Sequence, residues 1–185
     1  MSAQQPRILV AGIGNIFLGD DAFGVEVARR LADRRLPESV RVTDFGIRGF
    51  DLAYALLDDY DASILIDAVQ RGGEPGTLYV IEPDGEEPSD PAAATVETHN
   101  LHPEKVLSLV RALGGRPRHV SIVGCEPATF GPDENGWMGL SAPVAAAVGE
   151  AVSLVEIFIQ KLHNTESPAA NEEKTPTSRT GRSTP

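Results

Sequence analysis

The stretch ILVAGIG at residues 8–14 decides the fold, because a short aliphatic run closed by glycines is typical of a fully buried strand. We predict this strand over Ile8–Ala11, followed by a helix over Asp21–Arg35, where apolar residues recur at helical spacing. Further strands are predicted at 40–45, 62–68, 76–82 and 119–124, and further helices at 49–58, 103–113 and 142–162. This alternation predicts an α/β fold, a three-layer α/β/α sandwich with a mostly parallel five-stranded central sheet.

The composition excludes several classes of protein. The 185 residues include 16 Lys and Arg against 27 Asp and Glu, a net charge of −11 at pH 7, which disfavours nucleic acid and anionic membranes as partners. The single cysteine, Cys125, cannot form an internal disulfide or a thiolate zinc cage. No apolar run approaches the roughly 18 residues of a membrane helix, and the N-terminus lacks the basic region of a signal peptide. We therefore expect a cytoplasmic protein without membrane insertion.

The chain divides into one domain and a tail. Residues 1–163 have the length of a single α/β domain, since domains commonly run to about 100–200 residues. Residues 164–185 contain mainly Ser, Thr, Pro, Asn and charged residues, with Ala169 and Ala170 as their apolar members. Such a segment cannot bury enough surface to offset the entropy of ordering, so we predict a disordered C-terminal tail.

Acidic residues mark the predicted ligand crevice. Sheets of this kind bind ligands beyond the carboxyl ends of their strands, where the strand order reverses, which for an order of 2-1-3 lies between the first and third strands. Asp20 and Asp21 follow the first strand, and Asp67 interrupts an apolar run at the end of the third. An acid there is costly unless it is paired, hydrogen-bonded or metal-bound. We expect these acids to converge, although Asp20 or Asp21 can equally be the N-cap of the first helix.

The polar loop THNLHP at residues 98–103 offers a third ligand. Pro103 suits a first helical position, which places His102 near the helix cap and leaves His99 freer to reach across the crevice. Two carboxylates and one imidazole suit a divalent ion with open positions, whereas a lone loop histidine is more commonly solvated.

A dinucleotide-binding module is an alternative interpretation. Gly12 and Gly14 are the first two glycines of the dinucleotide fingerprint, and Asp44 lies where a ribose-binding acid would stand. Against it, Phe17 replaces the third glycine, and Asp20 and Asp21 point acids toward the place where a pyrophosphate would bind. We interpret Cys125 as a small buried hydrophobe.

The ordered set of motifs resembles the maturation endopeptidases of nickel–iron hydrogenases. The set comprises GIGN and GDDAFG within 12–24, IDA at 66–68, PGT at 75–77, TH at 98–99 and VG with Pro127 after the fifth strand. It covers about residues 7–162. The resemblance implies a phosphorylase/hydrolase-like fold and a monomeric endopeptidase. Its implied activity is removal of a short C-terminal extension from the hydrogenase large-subunit precursor after nickel insertion.

The resemblance also assigns residues. It implies a catalytic and metal-binding site of Asp21, Asp67 and His99, and it favours Asp21 over Asp20. The implied metal is nickel contacted in the precursor, or another divalent metal. The segment DFGIRG at 44–49 differs from the sequence motif that the family has at this place. The resemblance implies that its residues Gly46, Arg48 and Gly49 form the substrate loop. Two further hypotheses stay open: a nickel-sensing partner of the precursor without proteolysis, and a related peptidase with another precursor.

Overall fold

A computed structural model describes residues 5–83, 102–131 and 136–165 of the chain. Its strands are β1 (Ile8–Ile13), β2 (Val40–Gly46), β3 (Ala62–Ala68), β4 (Leu78–Ile81) and β5 (Val120–Cys125). Its helices are α1 (Phe23–Ala32), α2 (Gly49–Ala55), α3 (Pro103–Ala112) and α4 (Ala142–Thr165), and a 3₁₀ turn at Gly19–Ala22 precedes α1.

The strand order β2-β1-β3-β5-β4 places the first strand between the second and third, as predicted. β1 pairs in parallel with both β2 and β3, β3 pairs in parallel with β5, and β4 closes one edge antiparallel to β5. Gly12 of β1 pairs with Ile66 of β3. The segments that carry Asp21 and Asp67 therefore leave the sheet side by side at its carboxyl edge.

Helices cover both faces of the sheet, which is why β1 and β3 are buried along their whole length. One apolar layer joins the sheet to α1 and α4, with Phe23, Leu31 and Val152 among its buried members. The opposite layer joins the sheet to α2 and α3 through Leu52 and Val110. The predicted three-layer α/β/α fold is confirmed.

The helix α4 corrects the expectation that no apolar segment of the chain is long enough to form a membrane helix. It is 24 residues long with a mean hydropathy of 1.8 in its most apolar part, which by length and composition is enough to cross a membrane. In the fold, however, its apolar face packs on the core through Val144, Val148, Val155 and Ile159. The helix also extends to Thr165, two residues past the predicted domain boundary. Residues 166–185, predicted to be a disordered tail, lie outside the described residues.

A glycine sets how closely α1 approaches the sheet. A Cβ atom at Gly24 would lie 2.0 Å from the carbonyl oxygen of Ile66 and 2.3 Å from that of Ile13. The first turn of α1 therefore rests directly on the carboxyl ends of β1 and β3. This contact brings the preceding 3₁₀ turn, and with it Asp21, next to the end of β3.

Candidate active site

A cleft of about 640 Å³ opens beyond the carboxyl ends of β1 and β3, and both Asp21 and Asp67 line it. Its other walls include His102 at the start of α3 and the segment Phe130–Gly131 between β5 and α4. A larger cavity of about 830 Å³ surrounds Arg116 at the amino end of β5 and contains none of the predicted site residues. The acids therefore converge where strand order reverses, as the topology predicts.

Asp67 is a buried carboxyl, with 3% of its surface exposed. Within the described part of the chain, the hydrogen bond that reaches its carboxylate comes from the Ala68 backbone N–H to Oδ1, at 2.9 Å. Burial raises the pKa of Asp67 well above its usual value, the neighbouring charge of Asp21 raises it further, and the Ala68 hydrogen bond opposes both effects. A proton or a cation bound in the cleft would therefore offset the cost of burying the charged Asp67 carboxylate.

Asp21 is partly buried in the 3₁₀ turn, and its Oδ2 accepts a hydrogen bond of 2.7 Å from the Asn15 backbone N–H. Burial raises the pKa of Asp21, while the Asn15 hydrogen bond and the charge of His102 lower it. The hydrogen bond ties this carboxylate to the glycine-rich loop that follows β1. Its orientation is therefore fixed by the backbone.

Asp20 has a different environment from its neighbour. Its side chain is fully buried and accepts hydrogen bonds from Ala128 N (2.7 Å), Thr129 N (3.0 Å), Ser141 N (2.6 Å) and Ser141 Oγ (2.9 Å). Neither acid is the N-cap of α1, since Ala22 occupies that position. The structure thus separates the two: Asp21 lines the cleft, and Asp20 is bound within the fold.

His102 is the histidine of the predicted loop that the structure describes. It is the N-cap of α3, as predicted, and Pro103 is the first helical residue. His102 also lines the cleft, a role that the sequence did not indicate. Its position next to Pro103 was the available signal, because a helix that starts at the cleft presents its cap there. His99, the predicted third ligand, lies outside the described residues.

The predicted substrate loop lies apart from the acids. Gly46 and Arg48 line a separate cavity of about 330 Å³, and Gly49 is buried in the first turn of α2. Arg48 donates hydrogen bonds to the backbone carbonyls of Asp44 and Phe45, and its guanidinium lies 3.7 Å from the carboxylate of Asp51. The loop is thus held by its own arginine.

A second buried carboxylate binds the turn after β3. Glu126 accepts hydrogen bonds from Arg71 N (2.8 Å), Gly72 N (3.1 Å) and the Tyr79 hydroxyl (2.8 Å). Burial would raise the pKa of Glu126, but the hydrogen bonds, above all those from Arg71 and Tyr79, bring it below its usual value. None of these four residues is among those that line the cleft.

The cleft acids fit part of a cation site. Within residues 5–83, 102–131 and 136–165, no three His, Cys, Asp or Glu side chains are grouped closely enough to hold a metal ion. Asp21 and Asp67 supply two carboxylates, and carboxylate oxygens are common ligands of divalent cations. The unfavourable ionisation of Asp67 suits this role, since a bound cation stabilises the charged form.

The glycines at the carboxyl end of β1 serve the packing of the chain. A Cβ at Gly12 would lie 2.4 Å from the Gly24 carbonyl oxygen, and one at Gly14 (φ +133°) would lie 1.7 Å from the Asp21 carbonyl oxygen. Protein backbone therefore already occupies the space beside the loop. Two carboxylates in the adjoining cleft also oppose a pyrophosphate. These contacts argue against the dinucleotide-binding alternative.

A mostly parallel sheet that helices cover on both faces, with two carboxylates at its switch point, is typical of an α/β enzyme with an acidic cleft. A family profile described as hydrogenase maturation protease matches residues 25–157. The chain is 35% identical over 149 residues to the hydrogenase expression/formation protein HupD of Rhizobium leguminosarum bv. viciae, covering 80% of this chain and 71% of that protein. It is 33% identical over 153 residues to the hydrogenase 2 maturation protease of Escherichia coli, covering 80% and 88%.

The fold agrees with these relatives. The hydrogenase maturating endopeptidase HybD from E. coli superimposes with a TM-score of 0.65 at 30% identity, covering 84% of this chain and 93% of that one. The chain belongs to the hydrogenase maturation protease family and is a hydrolase of the endopeptidase class. The family resemblance drawn from the sequence motifs is confirmed.

Proposed function

We propose that this endopeptidase removes a short C-terminal extension from the large-subunit precursor of a nickel–iron hydrogenase after nickel has been inserted. The observation that carries the proposal is the pair of cleft acids in a member of this protease family: Asp67 at the end of β3, and Asp21 in the 3₁₀ turn that follows the adjacent strand β1. Family membership supplies the hydrogenase precursor as the substrate class, and the acids supply the means of recognising a metal-loaded substrate.

The nickel of this proposal is cargo of the precursor. Asp21 and Asp67, together with His99, would contact it and so orient the scissile bond in the cleft. A divalent ion supplies Lewis acidity, which polarises a carbonyl or activates a water molecule. Alternatively Asp67 acts as the general base, since its raised pKa brings it closer to the pH at which a carboxylate exchanges protons efficiently.

The surface beside the cleft favours a protein substrate. Phe17, Trp137 and Met138 are 56%, 53% and 70% exposed, and Trp137 is held against the cleft-lining Leu18 by a parallel backbone bridge. Large apolar side chains of these types are enriched where proteins bind one another. A precursor that enters the cleft would cover them.

The test is the intact mass of the precursor after incubation with the enzyme, with and without nickel loading. The expected result is loss of a C-terminal peptide from the nickel-loaded precursor alone, and no loss with Asp67→Asn. Asp58→Asn, an exposed acid beyond the end of α2, is the matched control and should cleave like the wild type.

Each other outcome overturns a stated part of the proposal. Equal cleavage of the nickel-free precursor would remove the nickel requirement. Unimpaired cleavage by Asp67→Asn would remove the role of the acids. A complex that forms without any change of mass would replace proteolysis by the nickel-sensing binding alternative.

A further inference from the structure

The fully buried carboxylate of Asp20 joins two segments that line the cleft. Asp20 immediately precedes Asp21, a cleft residue of the first segment. Its hydrogen-bond donors Ala128 and Thr129 immediately precede Phe130 and Gly131, the cleft residues of the second. The connection is reciprocal, because the Asp20 N–H donates to the Thr129 carbonyl at 3.0 Å.

We propose that Asp20 is a positioning residue, which fixes the separation between Asp21 and the Phe130–Gly131 wall of the cleft. This inference rests on the proposed function and adds to it a residue that does not touch the substrate. The hydrogen bonds reach three backbone N–H groups and the Ser141 hydroxyl, so a shift of the carboxylate moves the wall and the acid-bearing turn relative to each other.

The geometry requires a carboxylate in particular. Oδ2 accepts from Ala128, Thr129 and the Ser141 hydroxyl, while Oδ1 accepts from the Ser141 backbone N–H. Every backbone partner is a donor. An amide has one acceptor oxygen, so Asp20→Asn directs an NH₂ group at a backbone donor in either orientation. The side chain keeps its size but must shift, and the cleft wall shifts with it.

The effect on catalysis follows because turnover depends steeply on the position of the catalytic groups relative to the substrate. A misplacement of about 1 Å by a residue remote from the chemistry can lower the rate about 100-fold. We therefore expect Asp20→Asn to lower kcat about 100-fold with a smaller effect on KM, because the exposed apolar residues Phe17, Trp137 and Met138 are not among the partners of the Asp20 carboxylate.

The experiment compares Asp20→Asn with Glu126→Gln in the full chain. Glu126 is the matched control, since it is also a buried carboxylate bound to backbone N–H groups, but its partners Arg71 and Gly72 belong neither to the Asp21 turn nor to the Phe130–Gly131 wall. Both variants should lower Tm. Only Asp20→Asn should lower kcat and shift the NMR signal of the Asn15 amide, which donates to the Asp21 carboxylate.

Equal losses of kcat in the two variants, or an unchanged Asn15 amide signal in Asp20→Asn, would overturn the proposal. If Asp20→Asn does not fold, Ser141→Ala removes one hydrogen bond and should lower kcat several-fold with a smaller shift of the same signal; unchanged values would count against the role. If the wild type does not cleave the precursor, the proposed function fails, and the Asn15 signal still decides the role of Asp20.

Discussion

Replacing Asp67 by asparagine should stabilise the fold at neutral pH while abolishing cleavage. Asp67 is 3% exposed, and the nearby charge of Asp21 adds to its cost of ionisation. The asparagine side chain is the same size and would still accept the hydrogen bond from Ala68, but it carries no charge. Burial of an incompletely compensated charge is unfavourable, and relief of such strain at functional sites commonly adds about 1–2 kcal/mol to the free energy of unfolding.

The gain in stability has a definite pH dependence. The pKa of Asp67 is higher in the folded protein than in the unfolded chain, where it is about 3.9. The contribution of Asp67 to stability is therefore fully present below about pH 4 and is lost as the pH rises through the raised folded pKa. The variant should match the wild type near pH 4 and exceed it by the full margin at pH 8.

Urea denaturation of both proteins between pH 4 and pH 8 measures this difference. At pH 8, a gain of about 1–2 kcal/mol corresponds to an increase in Tm of about 2–8 °C for a domain of this size. The reasoning would be refuted if the wild type were more stable than the variant at pH 8, or if the difference in stability did not change with pH. Either result would mean that the buried charge of Asp67 does not destabilise the fold.

Three further perturbations test other parts of the structure. Gly24→Ala places a Cβ 2.0 Å from a carbonyl oxygen of β3 and should lower the free energy of unfolding by at least about 2 kcal/mol. Gly149→Ala, with open space around it, should raise the free energy of unfolding by up to about 1 kcal/mol. Urea denaturation measures both changes. Trp137→Ala should raise KM for the precursor about tenfold with kcat unchanged, and Ile157→Ala, an exposed residue of α4, should leave both constants unchanged. Glu126→Gln should be less stable than the wild type above about pH 4.3, and this difference should disappear as the pH falls through the lowered pKa of Glu126 in the folded protein. A difference in stability that stays constant between pH 3 and pH 7 would contradict this prediction.

Local sequence patterns predict the central sheet because its strands are apolar runs with clear ends. The pattern places the third strand at 62–68 and the structure has it at Ala62–Ala68. Asp67 is the one charged residue in this apolar run. The order 2-1-3 then places Asp21 and Asp67 in the same crevice. The pattern starts α1 at residue 21 and the structure starts it at 23, because the 3₁₀ turn takes up the intervening residues.

Long-range contacts are beyond what the sequence indicates. The donors to Asp20 lie 108 to 121 residues further along the chain, so no local pattern distinguishes it from Asp21. The same is true of Glu126, whose backbone donors lie 54 and 55 residues before it. The assignment of His99 as the third ligand rests on its place in the polar loop and on the family resemblance, and it stays a prediction.

The span between Asp20 and Ser141 sets the moment at which the enzyme can be completed during synthesis. Ser141 is 121 residues later in the chain, which at cellular rates of elongation is a delay of about 6 to 24 s. A nascent chain that ends before residue 141 already contains both cleft acids, yet it lacks Ser141 among the donors that bind Asp20. The hydrogen bonds to Asp20 are therefore complete only when the segment that leads into the last helix has been made.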